Sequence, residues 1–398
     1  MKLYDHQQKL VDKAPEKWLC AHGTGSGKTI TSIFLAKQSP EIETLVIVPK
    51  SLVEQWQEEC KKHTHFFEVI SKETFRRDHK DLRSYNSVIV DEADFFAGLK
   101  SGLYKSLKWY FKKHDVKYRW LLTATPYRST ILNLLALGIL LGKDWNWRKW
   151  NNLFFSQIKM GSRYIPVQKT IIEGEPITWW ITKIVNLLGN SVSMEQCFDV
   201  PEQTFIVERF KLTPEQKKAI KELDDVVAIA RRTRRHEIEN GILLSDGYTE
   251  DRTFKCEKNN RILELCDRHK KIAICCRYLL QIKVYEELLK GKKIFIINGA
   301  TKNKLAVTKE IEKTEECVVL IQTATCVGYQ LPNVNVIIMA SYEGSIWSLI
   351  QIRGRFLRAD KLSKNVYISL VQEKGTIDYD VYDSLINKKE DYHLAVYK

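Results

Sequence analysis

The sequence predicts an α/β protein with two parallel-sheet lobes in tandem, joined by a helical connector. Three observations lead to this. Short apolar, β-branched runs recur, each followed by a polar or glycine-bearing turn and then a helical pattern. They fall into two groups separated by a long irregular stretch. At about 150 residues per domain, the 398 residues leave room for two or three domains and a sizeable core.

The first group comprises TLVIVP (44–49), SVIVDEAD (87–94) and RWLLTATP (119–126). The second comprises KIAICC (271–276), KIFIING (293–299), CVVLIQT (317–323), VNVIIMAS (334–341) and NVYISLV (365–371). Near-continuous apolar runs of this kind suit strands covered by helices on both faces. From about 127 to 258 the pattern is helical and irregular, with Trp145, Trp147, Trp150, Trp179 and Trp180 and a basic helix carrying Arg231, Arg232, Arg234 and Arg235. The tryptophans are expected to form a packing cluster, and Ile131 to Leu141 a buried helix. Polar residues from Ser193 to Thr204, including Pro201, mark a hinge. The expected division is a first lobe at 1–200 with a helical extension, a basic connector at 201–258 and a second lobe at 259–398.

Charge narrows the function. The 63 Lys and Arg against 49 Asp and Glu leave a net charge of +14, while 44% hydrophobic and 28% charged residues describe a folded chain. Such an excess fits a polyanionic partner, nucleic acid or anionic lipid. The nine cysteines contain no C-x-x-C pair, which reads as a reducing compartment. Cys60 with His63 and His65 lacks a second ligand pair, so no metal cluster is assigned there. No secretory h-region or membrane-length apolar run is visible, so a cytoplasmic location is expected.

Residues 22–29 read His-Gly-Thr-Gly-Ser-Gly-Lys-Thr, between the apolar segment Trp18 to Ala21 and the helical pattern ITSIFLAKQ. Strand, glycine-rich turn and helix are the context a phosphate-binding loop requires. Gly23, Thr24, Gly25, Ser26 and Gly27 would wrap backbone amides around phosphates, Lys28 would reach the β and γ phosphates, and Thr29 would offer its hydroxyl to Mg2+. His22 stands where the strict pattern has glycine. Downstream, Asp91 and Glu92 close a buried strand, where open α/β sheets bind ligands. Asp91 would hold Mg2+ opposite Thr29, and Glu92 would orient and deprotonate the attacking water. The expected cofactors are ATP and Mg2+.

With these residues identified, the chain resembles the superfamily 2 helicases and translocases, most closely the Swi/Snf-type DNA-dependent ATPases. The resemblance runs in order through nearly the whole chain. Gln7 in LYDHQ resembles the adenine-sensing glutamine, HGTGSGKT the first motif, VPKSLVEQW (48–56) motif Ia, DEAD the second motif and LLTATP (121–126) the third. ICCRYLLQI (274–282) resembles the fourth, IQTATCVGYQLP (321–332) the fifth and QIRGRFLR (351–358) the sixth; FKLTPEQKKAI (210–220) resembles the opening of the Swi/Snf second lobe. The resemblance implies two RecA-like lobes of a P-loop NTPase. It makes Arg355 and Arg358 arginine fingers, lets Gly328 and Gln351 approach the nucleotide, and puts Lys50, Ser51, Thr125 and Thr323 on the sugar-phosphate backbone. A compact chain of this size resembles virus-encoded members.

Two basic elements add to the expected strand-binding surface: the lysines of 100–119 around Trp109 and Tyr110, and the helix with Arg231 and Arg232. For each, a solvated helix face is the competing reading. The leading expectation is an ATP-dependent DNA translocase or helicase acting on duplex or branched DNA. An RNA or RNA–DNA hybrid helicase is the alternative, and a non-hydrolysing DNA clamp the alternative of another class. The RNA-acting branch named for the DEAD string carries Ser-Ala-Thr in its third motif and His at the start of its sixth, whereas this chain has Thr123-Ala124-Thr125 and Gln351. Gln330 stands where the family usually places Asp or Asn. Since Gln cannot neutralise an arginine, Gln330→Asp is expected to raise stimulated turnover.

Overall fold

In the computed structural model the chain divides into two compact units, residues 1–199 with 390–398, and residues 200–389. The structure describes residues 3–396 apart from 39–42, 129, 162, 198–201, 224–226, 246–249, 327, 332 and 358–363.

The strands of the first unit are β1 (Lys17–His22), β2 (Thr44–Val48), β3 (Phe67–Ser71), β4 (Ser87–Val90), β5 (Tyr118–Leu122), β6 (Phe155–Met160), β7 (Arg163–Gln168), the two-residue pair β8 (Ile171–Ile172) and β9 (Glu175–Pro176), and β10 (Gly189–Val192). Six make one sheet in the order β10-β1-β5-β4-β2-β3, every neighbour parallel. β2 and β4 are buried throughout, whereas the edge strands β3 and β10 are mostly half-buried. Trp18, Cys20, Ile33, Val46, Val48, Trp56, Ile89 and Trp120 pack in one core cluster. Leu132–Leu140 is a buried helix, as expected from its composition.

The expected tryptophan cluster is a chain of rings. Trp145 lies 4.9 Å from Trp150, Trp150 lies 4.9 Å from Phe154, and Phe154 meets Trp180 edge-on at 5.6 Å. Trp145 can sit there because residue 138 is glycine: a Cβ at that position would stand 2.0 Å from the indole ring. Trp147 remains exposed.

The second unit contains β11 (Gln203–Phe210), the two-residue pair β12 (Ile242–Leu243) and β13 (Arg252–Thr253), then β14 (Lys271–Cys276), β15 (Ile294–Ile297), β16 (Cys317–Gln322), β17 (Val336–Met339) and β18 (Asn365–Gln372). Its sheet runs β11-β18-β17-β14-β16-β15, again with every neighbour parallel. β11 lies in the stretch read from sequence as connector, yet pairs with β18 along its whole length. Arg353 holds this edge: its guanidinium donates to Gln203 Oε1 at 2.7 Å and lies 4.9 Å from the Phe205 ring centre.

The basic helix Ala228–Glu239 exposes Arg231 and Arg232 at one end and buries His236 to Glu239 at the other. That buried end joins an ionic cluster in the second unit. Lys258, 1% exposed, donates to Asp378 Oδ2 at 2.8 Å, Asn240 Oδ1 at 2.9 Å and the Ala340 carbonyl at 3.3 Å. Asp378 also accepts from Asn240 Nδ2 and from the Gln372 amide, and its own amide donates to Glu239. Burial pushes the Asp378 carboxyl up, but Lys258 and the His236 contact outweigh it and hold the group well below the usual carboxylate range.

A carboxylate depressed in the folded state stabilises above its unfolded pKa, about 3.9, and that stability is lost as pH falls through the folded value. Thermal denaturation of the second unit should therefore show a Tm falling below about pH 4. Asp378→Asn should flatten that part of the acid limb and cost about 3–5 kcal/mol at neutral pH, because Lys258 is left buried and uncompensated. An unchanged Tm at pH 7 would contradict this.

Candidate nucleotide and nucleic-acid site

The loop from Gly23 to Gly27 joins β1 to the helix Lys28–Lys37. Gly27 adopts φ +80, a left-handed conformation that suits glycine. A second constraint acts at the same residue, where a Cβ would stand 2.2 Å from Gln7 Nε2. Gln7 is 3% exposed and latches onto the loop, its Nε2 donating to the Gly27 carbonyl at 3.3 Å and its Oε1 accepting from the Tyr4 amide at 2.9 Å. The expected adenine-sensing residue thus holds the phosphate loop from behind. Ser26 Oγ donates to the Gly23 carbonyl at 2.8 Å. Lys28 Nζ donates to the carbonyls of His22 and Gly23 at 3.0 and 2.9 Å, so the ammonium lies over the loop. Burial, with Lys28 adding to it, holds the His22 imidazole down to about 3, so it is neutral at physiological pH.

Asp91 and Glu92 follow β4, and the phosphate loop follows β1, with β5 paired between the two strands. All three are parallel, so both segments emerge at the same carboxyl edge. Asp91 accepts from the Trp56 indole at 2.9 Å through Oδ2 and from the Glu92 amide at 2.9 Å through Oδ1. Glu92 has φ +49, an uncommon left-handed conformation for a non-glycine residue and of the kind that clusters at functional sites. Asp94 is fully buried. Thr123 of the third motif donates to its Oδ1 at 3.1 Å, and Arg128 Nε donates to its Oδ2 at 2.6 Å. Burial pushes the Asp94 carboxyl up, opposed by Arg128 and Thr123.

The expected strand contacts divide. Lys50 and Ser51 are exposed just after β2, and the helix Gly102–Lys113 exposes Lys105, Lys108, Lys112 and Lys113 while burying Tyr104, Leu107, Tyr110 and Phe111. Thr125 and Thr323 are buried. The Thr125 amide donates to Thr123 Oγ1 at 2.9 Å, and Thr323 Oγ1 donates to Glu343 at 3.1 Å, so these hydroxyls do not lie on a surface that a backbone could touch without rearrangement.

In the second unit Gly328 has φ +87, which suits glycine at the close turn of the fifth motif. Arg355 is 6% exposed and turned inward: Nη1 donates to the Tyr329 carbonyl at 2.9 Å, Nη2 to Gln351 Oε1 at 2.5 Å and Nε to the Gln351 carbonyl at 3.1 Å. Gln351 is therefore a partner of Arg355 here. Arg358 lies outside the described residues. The expectation for Gln330 is corrected: its amide nitrogen, set by the acceptors around it, lies 3.1 Å from the carbonyls of both Gly354 and Arg355. The residue ties the fifth motif to the backbone of the sixth as a donor, which a carboxylate cannot do.

Sequence reasoning missed Trp56 as a partner of Asp91, Arg128 as the partner of Asp94, and Gln168. Gln168 Nε2 donates to the Tyr127 hydroxyl at 3.1 Å and its Oε1 accepts from the Ile131 amide at 2.7 Å. Trp56 stood inside the quoted motif, and its indole N–H, a lone buried donor, was the available signal. The expected donors Thr29 and Asp91 are both oxygen, which fits Mg2+ rather than a softer metal.

Residues 1–92 match the family model described as type III restriction enzyme, res subunit, and residues 255–360 match the helicase conserved C-terminal domain. An uncharacterized ATP-dependent helicase, YqhH of Bacillus subtilis (strain 168), is 31% identical over 157 residues, 34% of this chain. That alignment spans 28% of the relative's length. Among solved structures the Pyrococcus furiosus Hef helicase domain aligns over 96% of this chain and 98% of its own with a TM-score of 0.54 at 15% identity, a likeness of fold alone. The Sulfolobus solfataricus SWI2/SNF2 ATPase core in complex with dsDNA aligns over 100% and 97% with a TM-score of 0.42 at 17% identity.

Two outcomes follow from the geometry. Trp56→Phe removes the N–H donor of Asp91 while keeping an aromatic ring, and should raise the half-saturating Mg2+ concentration of hydrolysis roughly tenfold, as loss of a hydrogen bond to a charged group implies. An unchanged Mg2+ titration would contradict it. Gln330→Asp sets a carboxylate against two carbonyls and should lower the stability of the second unit by about 1–3 kcal/mol, measured by urea denaturation, and lower stimulated turnover. Equal or raised turnover would restore the expectation from sequence.

Proposed function

Because the chain belongs to the superfamily 2 helicases, a class of nucleic-acid-dependent ATPases, we propose that it is an ATP- and Mg2+-dependent motor that moves on duplex or branched DNA. One observation carries the reading furthest: Asp94 is hydrogen-bonded to Thr123 and Arg128 at the carboxyl edge where the phosphate loop and the Asp91-Glu92 pair also emerge. The third motif is thereby tied to the strand end that carries the Asp91-Glu92 pair. The first unit is the ATP-binding lobe and the second the helicase C-terminal lobe, with the basic helix at 228–239 between their motif sets.

In this mechanism the amides of 23–29 and Lys28 cradle the phosphates of ATP. Glu92 accepts a proton from the water that attacks the γ-phosphorus, and Arg355 and Arg358 stabilise the charge on the transferring group. Thr29 and Asp91 would hold Mg2+, which when bound neutralises the phosphate oxygens. Gln7, whose amide supports the loop, would read the adenine edge by hydrogen bonds. Lys50, Ser51, Arg231 and Arg232 grip the phosphates of the nucleic acid without reading base edges. DNA rather than RNA is favoured by Thr123-Ala124-Thr125 and Gln351 standing where the RNA-acting branch has other residues. The net charge of +14 supplies the affinity for either polymer.

Steady-state ATP hydrolysis measured with single-stranded, duplex, forked and four-way DNA and with RNA, each at two salt concentrations, tests the proposal. Duplex or branched DNA should stimulate most, with stimulation falling steeply as salt rises. A preference for RNA would move the chain to the alternative helicase class. Glu92→Gln should lower kcat by about 10²–10⁴ with ATP still bound; undiminished hydrolysis would remove Glu92 from the mechanism, and no stimulation by any polymer would overturn the motor.

A further inference from the structure

Lys304 opens the helix Lys304–Lys313 in the second unit, a place where a cation is disfavoured. The first turn of a helix carries partial positive charge, and no Asp or Glu stands in this one to offset it. Desolvation adds to the cost. The side chain is half-buried, whereas Lys302 beside it is exposed. Burial, reinforced by Arg355 and opposed by Cys326, pulls the Lys304 ammonium below the usual lysine range. Local rules broken in this way are expected at functional sites.

Its contacts lead to the fifth motif. Lys304 Nζ donates to the Thr325 carbonyl at 2.8 Å and lies 5.6 Å from the ring centre of Tyr329. Tyr329 is 2% exposed, and its hydroxyl donates to Cys326 Sγ at 3.6 Å. Arg355 uses the same tyrosine: its guanidinium carbon lies 6.0 Å from the ring centre, and Nη1 donates to the Tyr329 carbonyl. One buried residue thus holds two cations. Among the described residues neither cation forms an ion pair, and the carboxylate of Glu343 accepts from Thr323 and Ser348 instead.

The magnitude of the repulsion is enough to matter. Both cations lie within about 6 Å of one ring centre. Unit charges even about 12 Å apart, at an effective dielectric near 20, repel by roughly a factor of ten in an equilibrium. A tie to the Thr325 carbonyl needs no charge, because a glutamine amide could donate there without desolvating an ammonium. The charge, not the hydrogen bond, sets this position apart.

We propose that Lys304 is a positioning residue for Arg355, whose inward state it destabilises by its charge. Release of the guanidinium toward a transferring phosphoryl group then costs less, while the Lys304 bond to Thr325 keeps the fifth-motif turn in place. The proposal rests on the reading that the chain hydrolyses ATP with Arg355 acting on that group. It deepens that reading by naming what sets the readiness of the arginine.

The full chain is assayed with Mg2+ and duplex DNA as wild type, Lys304→Gln, Lys304→Arg, Arg355→Ala and the Lys304→Gln, Arg355→Ala double variant, each first shown by its Tm to be folded. Glutamine keeps a donor for Thr325 without the charge, and arginine keeps the charge. Lys304→Gln should lower kcat about tenfold with the KM for ATP within about twofold, and Lys304→Arg should restore most of the loss. In equilibrium titrations Lys304→Gln should weaken binding of ADP–aluminium fluoride, which mimics the transferring phosphoryl group, about tenfold and leave ADP binding unchanged. The double variant should bind the mimic no more weakly than Arg355→Ala, because Lys304 then has no arginine to act on.

Unchanged kcat in Lys304→Gln, or a loss that Lys304→Arg shares in full, overturns the proposal and leaves the motor reading standing. Weaker ADP binding in Lys304→Gln, which assigns the lysine to the nucleotide itself, does the same, as does a further loss in the double variant. Full turnover in Arg355→Ala removes Arg355 from the mechanism and the proposal with it. No hydrolysis by the wild type with any polymer overturns both the proposal and the motor.

Discussion

The buried carboxylate of Asp94 is the constraint around which the first unit is organised. A carboxyl group without exposed surface tends to take up a proton, and burial pushes Asp94 in that direction. The guanidinium of Arg128 and the hydroxyl of Thr123 oppose that tendency, and both come from the segment that follows β5. Two strand ends, β4 and β5, are therefore locked together at the edge where the phosphate loop emerges. Losing either partner would leave a desolvated charge, which is why this link resists slackening more than an exposed ion pair would.

From this lock the connections spread in two directions. Asp91, three residues before Asp94, is held by Trp56, whose helix follows the short turn Lys50–Leu52. Arg128 adjoins Tyr127, which is held by Gln168. The carboxylates of Asp91 and Asp94 thus have hydrogen-bonded neighbours on each side, one leading to an exposed basic turn and the other to the exposed hairpin of β6 and β7. Glu92 sits between them in a left-handed conformation.

The central strands were legible in the sequence because helices bury both faces and leave unbroken apolar runs. The edge strands β3, β10 and β11 were not: their faces are half-buried or exposed, so composition there is mixed and resembles a loop or connector. The glycine-rich turn at Gly23 to Thr29 and the carboxylate pair Asp91 and Glu92 could be read from the sequence because their residues are adjacent in it. Partnerships made across the fold could not. Nothing local to Arg128 points 34 residues back to Asp94, and nothing local to Gln330 reveals that its neighbours are carbonyls. Reading Gln330 as a defective acid assumed an arginine partner; its donor role follows from the backbone of 354–355.

Arg355 shows how a charge assigned from sequence to the triphosphate can be held elsewhere. Each of its three nitrogens donates within its own unit, to Tyr329 or Gln351. For the guanidinium to reach a phosphoryl group it must exchange these bonds, each worth about 1.5–3 kcal/mol when one partner is charged. The exchange is favourable only where the incoming oxygens carry more negative charge than the carbonyls they replace, as developing charge in the transition state does. On the role proposed for Arg355, inward engagement would keep it off a weaker anion and make its release a response to developing charge.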